Sequence, residues 1–479
     1  MVLRAGEAPA LPSPCTWQPM MKHAITLIVV SLLTPLAAVR AADPPAQKPN
    51  IIFILADDLG IGSVSCYGAD NFKTPNLDKL AGNGLRFEHC YASPLCGPTR
   101  ALLMTGRYAY HTGMTSNQTG PLLKPDKEVM MPRMLKPAGY VTAQCGKWSQ
   151  LPLQPGDWGF DEYLRFQGSG KYWNTQKMAK TYTLNGKEVP LGDGEYLPDR
   201  MHNFVVDFIT RHKDQPFYVY YAMSHVHGQI LPTPDTAPGT KDRFKIYQDN
   251  VAYMDKLVGK LVAQLDRLKL RENTLILFAG DNGTAKPWYE RCTINGGKAL
   301  SGHKATMLEC GALVPCIASW PAKVPGNRVT QGLINICDFY PTLAEIAGAQ
   351  LPVGVVMDGQ NFAPQLCGQS QTWPRDWIFV ELGRKWYDRD MGWKLNESRE
   401  LFDMHNAPYA EPLVAADTKD EAAIAARKKL QGVLGQLNPA GGIVDQGHGK
   451  RAARKSKKQA RKASESRAAN PGNQNEEDE

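Results

Sequence analysis

The stretch Leu95–Arg107, Leu-Cys-Gly-Pro-Thr-Arg-Ala-Leu-Leu-Met-Thr-Gly-Arg, holds the most specific grouping of reactive residue types in the chain. Pro98 fixes its own φ and restricts Gly97, so the chain leaves Cys96 in a set geometry. From Thr99 onward, Ala101, Leu102, Leu103 and Met104 favour a helix that Gly106 can end. Cys96 then stands just before a helix N-terminus, where free N–H groups and the helix dipole favour an anion; Arg100 adds a fixed positive charge one turn in. A lone cysteine is most often a buried thiol before an ordinary helix, so its companions decide the matter. Asp57-Asp58 is the first candidate, because adjacent carboxylates are costly to bury unless a cation is present, and Asp281-Asn282, a carboxylate beside an amide, is the second pair. The plainer alternatives are a solvated loop or helix cap for the first pair. For the second they are an Asx or type I′ turn, which Asn282-Gly283 favours. Lys147, Lys304, His225 and His227 complete the set; taken singly, each is as readily a surface charge or a structural histidine.

These residues sit beside apolar runs that predict the elements positioning them. Asn50–Ala56 is continuously apolar, as expected of a central parallel strand buried on both faces, and it ends in Asp57-Asp58. Tyr140–Cys145 leads to Gly146-Lys147-Trp148, Pro216–Met223 to Ser224-His225-Val226-His227, and Thr274–Gly280 to Asp281-Asn282-Gly283. In an open parallel sheet the carboxyl ends of such strands line one crevice. In extended chain His225 would point the same way as His227. Thr74-Pro75 opens a helix with Leu77, Leu80 and Ala81 on one face, and Phe244–Leu270 repeats apolar residues at helical spacing. Val314–Trp320 is a further strand, and Asp338 opens another helix. Past Gly368 the pattern changes: Trp377–Leu382 and Trp393–Leu395 are short strands. Thr418 with Glu421 makes a capping box for a helix packing Ile424, Leu430, Leu434 and Leu437. The predicted fold is α/β, with a large mostly parallel sheet sandwiched by helices. A small C-terminal antiparallel sheet with one packing helix follows it.

The 479 residues suffice for one large domain and a smaller one. The expected division is an N-terminal extension and signal peptide (1–41), a catalytic α/β domain (42–367), a small C-terminal subdomain (368–438) and a disordered charged tail (439–479). Met21-Lys22-His23 followed by Ala24–Val39 and Val39-Arg40-Ala41 reads as a signal peptide cleaved near Ala41, with Met20 or Met21 as the true start. The apolar run is short and broken by Pro35, so no transmembrane anchor is expected. The product is expected to be exported, either periplasmic or secreted. The net charge of +8 is matched by Lys450–Arg467 alone, which holds nine Lys or Arg and one Glu, so charge gives no argument for nucleic acid. The ten cysteines show no zinc spacing; Cys66 with Cys90, or Cys310 with Cys316, could form disulfides.

Cys96-Gly-Pro-Thr-Arg100 followed by Thr105-Gly106 resembles the signature of the sulfatases, formylglycine-dependent members of the alkaline phosphatase superfamily, and the resemblance extends over nearly all of Pro49–Leu413. It implies that Cys96 is converted to Cα-formylglycine (3-oxoalanine) by a formylglycine-generating enzyme and acts, as its hydrate, as the nucleophile. It implies one calcium ion per subunit held by Asp57, Asp58, Asp281 and Asn282, with Lys147 and Lys304 on the sulfate. Arg100 orients the nucleophile, and His227 or Lys304 protonates the leaving oxygen. Ser149 departs from the pattern, which has a histidine two residues after the lysine at 147; Gln150, His225 or water would have to fill in. Val226, Cys310 and Ala312 also depart from the pattern. The implied reaction is hydrolysis of a sulfate ester of a small molecule or polysaccharide. Exported members commonly act on polysaccharide sulfates, and the aromatic-rich Trp158–Trp173 stretch could line a sugar site. A phosphate or phosphonate monoester hydrolase and a catalytically impaired anion-binding relative stay open.

Overall fold

The computed structural model describes residues 48–176 and 179–441. The signal peptide and all but the first three residues of the charged tail lie outside the described residues. Ten strands form one mixed sheet: β1 (Asn50–Ala56), β2 (Leu85–Tyr91), β3 (Val141–Lys147), β4 (Glu162–Phe166), β5 (Thr181–Leu184), β6 (Lys187–Pro190), β7 (Phe217–Ala222), β8 (Thr274–Gly280), β9 (Leu313–Ser319) and β10 (Arg328–Asn335). Their order is β10-β2-β9-β8-β1-β7-β3-β4-β5-β6. The central run β8-β1-β7-β3-β4 is parallel, whereas β9 runs antiparallel to both β2 and β8, and β5 and β6 close the far edge antiparallel.

β1 lies at the centre because its residues are apolar on both faces. Ile52 and Ile54 enter one core with Val251, Met254 and Leu257 of the helix Arg243–Arg267. Ile51, Phe53 and Leu55 enter the other with Leu103 and with Leu343 of the helix Phe339–Ala347. Each such fully buried side chain contributes roughly 2 kcal/mol. Helix α1 (Pro75–Gly82) covers the first face, and α2 (Cys96–Thr105) the second.

Several local expectations are corrected. α2 begins at Cys96 itself, because Leu95 is extended and Pro98 suits the first turn of a helix. β3 continues to Lys147, so the lysine is the strand's last residue. Thr74 does not cap α1 with its side chain; its Oγ1 is engaged by Ser65 instead. Trp158, Phe160, Phe166 and Tyr172 are core residues and cannot line a sugar site, since aromatic area is buried wherever the fold permits. All nine described cysteines are free, and Cys90 lies beside Cys316 across β2 and β9, so neither expected disulfide forms.

The second sheet is antiparallel, β11 (Ile378–Leu382), β12 (Lys385–Arg389), β13 (Trp393–Asn396) and β14 (Leu401–Asp403). The helix Glu421–Leu437 packs on it. Its cap is Asp420, whose carboxylate accepts from the N–H groups of Ala422 and Ala423; Thr418 caps only Asp420. Ala423, Ala426 and Leu430 form its buried face, and Ile424 is half exposed, because this helix is seated one residue round from the face that its larger residues suggest. Pro439–Gly441 add a short 3-10 turn after it.

β12 carries an exception to the apolar packing. Asp388 is fully buried, and neither carboxylate oxygen has a hydrogen-bond partner in another described residue. Burial pushes its carboxyl from 3.8 up to about 8. The folded chain therefore holds a proton that an exposed aspartate releases. The resulting stability is full below about pH 4 and is lost as pH rises to about 8. Asp388→Asn is neutral throughout, so its thermal midpoint relative to the parent should climb steadily between those values. A pH-independent difference would show that Asp388 is not protonated in the fold.

Candidate active site

Four adjacent strands deliver the site. β8, β1, β7 and β3 are parallel neighbours, so Asp281-Asn282, Asp57-Asp58, the Ser224–Gly228 turn and Lys147 emerge side by side. Backbone pairs extend the ladder past the strand ends: Asp57 N–H donates to His225 O (2.7 Å), Val226 N–H to Asp57 O (2.6 Å) and Asp281 N–H to Ala56 O (3.0 Å). Lys304 arrives from a distant loop. Its own N–H donates to Thr284 O (3.0 Å), and the next N–H, of Ala305, donates to Pro94 O (2.9 Å), two residues before Cys96. The C-terminal sheet holds the far end of that loop. Glu411 accepts from Ser301 Oγ (2.6 Å) and Glu309 N–H (2.7 Å), and Glu309 is ion-paired with Arg389 on β12. Gly283 follows the Asp-Asn pair for close approach rather than for a type I′ turn: a Cβ there would lie 1.8 Å from Cys310 O.

The cluster is buried and strongly charged. Lys147 Nζ donates to both oxygens of Asp57 (2.7 and 2.8 Å). Arg100 donates to Asp281 Oδ2 through Nη2 (2.7 Å) and Nε (3.2 Å), and through Nη1 to the Tyr220 hydroxyl (3.1 Å). Lys304 Nζ donates to Asp58 Oδ2 (2.8 Å) and lies 3.2 Å from His227 Nε2. Burial lifts the Asp57 carboxyl to about 7, and Asp281 adds to the rise against Lys147 and Arg100. Burial also acts to raise Asp58, but His227 and Lys304 outweigh it and hold that carboxyl well below the usual range. Burial pushes His227 down to about 4, so its ring is neutral near pH 7. Its Nδ1 lies 2.5 Å from Gly228 O, a carbonyl that can only accept. Nδ1 therefore carries the hydrogen, and Nε2 is left to accept from Lys304.

Asp57, Asp58 and His227 bring ligand atoms within 4.8 Å of one another, as do Asp57, Cys96 and Asp281. Asn282 donates through Nδ2 to Asp58 Oδ1 and Gly283 O (2.9 Å each), while its Oδ1 is buried without a partner among the described residues. Three carboxylates at neighbouring strand tips and one orphaned carbonyl oxygen are oxygen donors of the kind a hard divalent cation takes. The residues therefore fit calcium.

Cys96 opens α2 at the edge of this cluster, and its thiol is raised, chiefly by burial. Ser149 itself and Gln150, one of the expected substitutes for a histidine at position 149, are bonded elsewhere. Ser149 Oγ donates to Gly168 O (2.6 Å), and Gln150 Nε2 to Ser169 Oγ (3.0 Å). His225 is corrected as a site residue. The chain turns at Ser224–His227, with His227 N–H donating to Ser224 O, so the alternation of an extended strand does not apply. Its side chain is fully buried among Tyr172, Tyr196 and Tyr253, with Nε2 3.0 Å from the Tyr196 hydroxyl. Burial pushes that ring down to about 3.

Two residues at the site escape sequence reasoning. Tyr220, on β7, is hidden in an apolar run where only alternation would mark its face. Asn117 accepts the Gly97 N–H through Oδ1 (2.9 Å) and reaches the Cys96 sulfur through Nδ2 (3.6 Å). It lies in a polar loop that carries no motif.

A family model described as Sulfatase matches residues 49–349. The chain is 32% identical to Arylsulfatase G of Rattus norvegicus, covering 68% of this chain and 70% of that protein. It is 33% identical to N-acetylgalactosamine-6-sulfatase of Canis lupus familiaris, covering 70% and 69%. Among solved structures it resembles Ps i-CgsB in complex with k-i-k-neocarrahexaose, with 28% identity, a TM-score of 0.72 and coverage of 84% of this chain and 94% of the other. No helix among the described residues is long and apolar enough to cross a membrane.

Proposed function

Because the chain belongs to the sulfatase family, whose relatives here are sulfuric ester hydrolases, we propose that it hydrolyses sulfate esters of a carbohydrate through a formylglycine made from Cys96 and a bound calcium ion. The observation that carries this reading is the meeting of residue 96 with Asp57 and Asp281 at the tips of separate strands. Asp57, Asp58, Asp281 and Asn282 would hold the calcium, which supplies Lewis-acid stabilisation of charge on a sulfuryl oxygen. Formylglycine at position 96 supplies the nucleophilic hydroxyl of its hydrate and a second hydroxyl that allows the aldehyde to re-form. Arg100, fixed between Asp281 and Tyr220, orients residue 96. Lys147 and Lys304, paired with Asp57 and Asp58 in this structure, would neutralise the remaining sulfuryl charge. Lys304 Nζ also carries the proton for the leaving alkoxide, since His227 Nε2 is an acceptor in this state.

The carbohydrate assignment rests on relatives. Ps i-CgsB is described with a neocarrahexaose, and another similar structure, 26% identical with a TM-score of 0.69, comes from work on the metabolism of multiple glycosaminoglycans by Bacteroides thetaiotaomicron. Export rests on the signal peptide read in Met21–Ala41; N-terminal sequencing of the mature chain should begin near Ala42. The deciding experiment compares sulfate and phosphate esters of one alcohol. Sulfate release should exceed phosphate release by at least about 100-fold, or roughly 2.7 kcal/mol of transition-state preference. Equal or inverted rates would favour the phosphate or phosphonate hydrolase, and no turnover of either would favour the anion-binding relative.

A further inference from the structure

We propose that Asn117 is a positioning residue for the side chain at position 96: its amide N–H donates to the heteroatom that residue 96 carries and stabilises negative charge there. This rests on the reading of residue 96 given above. The orientation of the Asn117 amide follows from its partners. The Gly97 N–H can only donate, so the atom 2.9 Å from it is the carbonyl oxygen. That leaves Nδ2 as the amide's donor, and the Cys96 sulfur lies 3.6 Å from it and 3.7 Å from Oδ1.

Gly97 is what admits the amide. A Cβ on it would lie 2.6 Å from Asn117 Oδ1 and 2.8 Å from Met114 Cε. The loop is fixed on both sides of Asn117. Ser116 N–H donates to Thr119 Oγ1 (3.0 Å), and Gly383 N–H, in the hairpin between β11 and β12, donates to Thr115 O (2.9 Å). With Ser149, Gln150 and His225 bonded elsewhere, Asn117 is the side chain among the described residues that hydrogen-bonds the sulfur of residue 96. An amide cannot take a proton, so its contribution is donation to an oxygen or sulfur bearing charge, not general-base catalysis.

Three variants separate this role from simple capping of α2. Asn117→Asp keeps an oxygen for the Gly97 N–H but removes the donor. Asn117→Ala removes both, and Gly97→Ala displaces the amide while leaving Asn117 in place. Each is made in two forms, one expressed without the maturation enzyme, with a thiol at 96, and one matured. In the thiol form, iodoacetamide labelling of residue 96, read by mass spectrometry, should slow on the order of 10-fold in Asn117→Ala and Gly97→Ala, the worth of a hydrogen bond to a charged group. It should slow further in Asn117→Asp, whose thermal midpoint should stay close to the parent's. In the matured form, at equal formylglycine content, kcat should fall on the order of 100-fold with KM little changed, as for loss of one oxyanion donor. Asn117→Asp behaving as the parent in labelling and turnover would reduce Asn117 to a cap and overturn the proposal, as would unchanged labelling in all three. Failure of the underlying reading shows separately, as a parent enzyme without formylglycine and without sulfate release. Labelling of the thiol form then still decides whether Asn117 donates to residue 96.

Discussion

With Cys96 replaced by alanine, sulfate release is expected to fall by at least about 10⁴-fold, the scale seen when an enzyme loses its nucleophile and keeps its binding groups. The fold should survive. Alanine is the best helix former, Cys96 is the first residue of α2, and the hydrogen-bonding contacts of the deleted sulfur among the described residues are two long ones, both to the Asn117 amide. The unaltered protein gives the complementary result. Its tryptic peptide Phe87–Arg100 contains Cys90 as well as Cys96. That peptide should be lighter than encoded by about 18 Da, the exchange of a thiol for an aldehyde oxygen that creates the activated nucleophile. Cys90 is buried in β2 with its thiol pushed well up by burial, so it should stay unoxidised and, once the chain is unfolded, take up an alkylating reagent that residue 96 does not. An enzyme that turns over with an intact thiol at 96, or an alanine variant that keeps its rate, would end the formylglycine assignment.

The second large effect is expected from the cation. After exhaustive chelation the protein should release no measurable sulfate, and added calcium should restore turnover and raise the thermal midpoint together. A ligand that binds only the folded state stabilises it by about 2.7 kcal/mol at a hundred times its Kd. The midpoint is thus a readout independent of catalysis. Asn282→Ala tests the donor set, because Asn282 Oδ1 is a buried oxygen of the site with no partner among the described residues. Loss of even ~1.4 kcal/mol of ligation moves the calcium response tenfold higher in concentration. A midpoint indifferent to calcium in the parent would show that Asp57, Asp58 and Asp281 are satisfied by Arg100, Lys147 and Lys304 alone.

The charge arrangement explains why this cluster tolerates burial with either partner. Three cations already neutralise three carboxylates, through contacts of 2.7–2.8 Å between Lys147 and Asp57, Arg100 and Asp281, and Lys304 and Asp58. Breaking one buried pair leaves the other charge stranded at a cost of roughly 3–5 kcal/mol. Arg100 is doubly committed, to Asp281 and Tyr220, and so is the least free of the three to follow a substrate.

Much of this protein is legible in its sequence because the information is local. β1, β7 and β8 announce themselves as unbroken apolar runs, since a strand covered on both faces has no polar side to show. The residues at their ends stand out for the opposite reason, as acids, an amide or histidines closely following a core strand. The motif at Cys96–Arg107 fixes a helix start and an anion-favouring terminus through Pro98 and Gly106 without help from elsewhere. What the sequence could not settle depends on long-range contact. His225 and His227 differ by two positions and are chemically identical, yet a turn sends one into an aromatic core and the other to Asp58 and Lys304. Asn117 acquires its role because Gly97, from another segment, leaves room for an amide, and because the β11–β12 hairpin pins its loop. Local residue pattern thus determined the central strands and which residues lie at their tips. Which side chains finally meet was decided by the tertiary structure, because turns and close approaches depend on what the rest of the fold places opposite them.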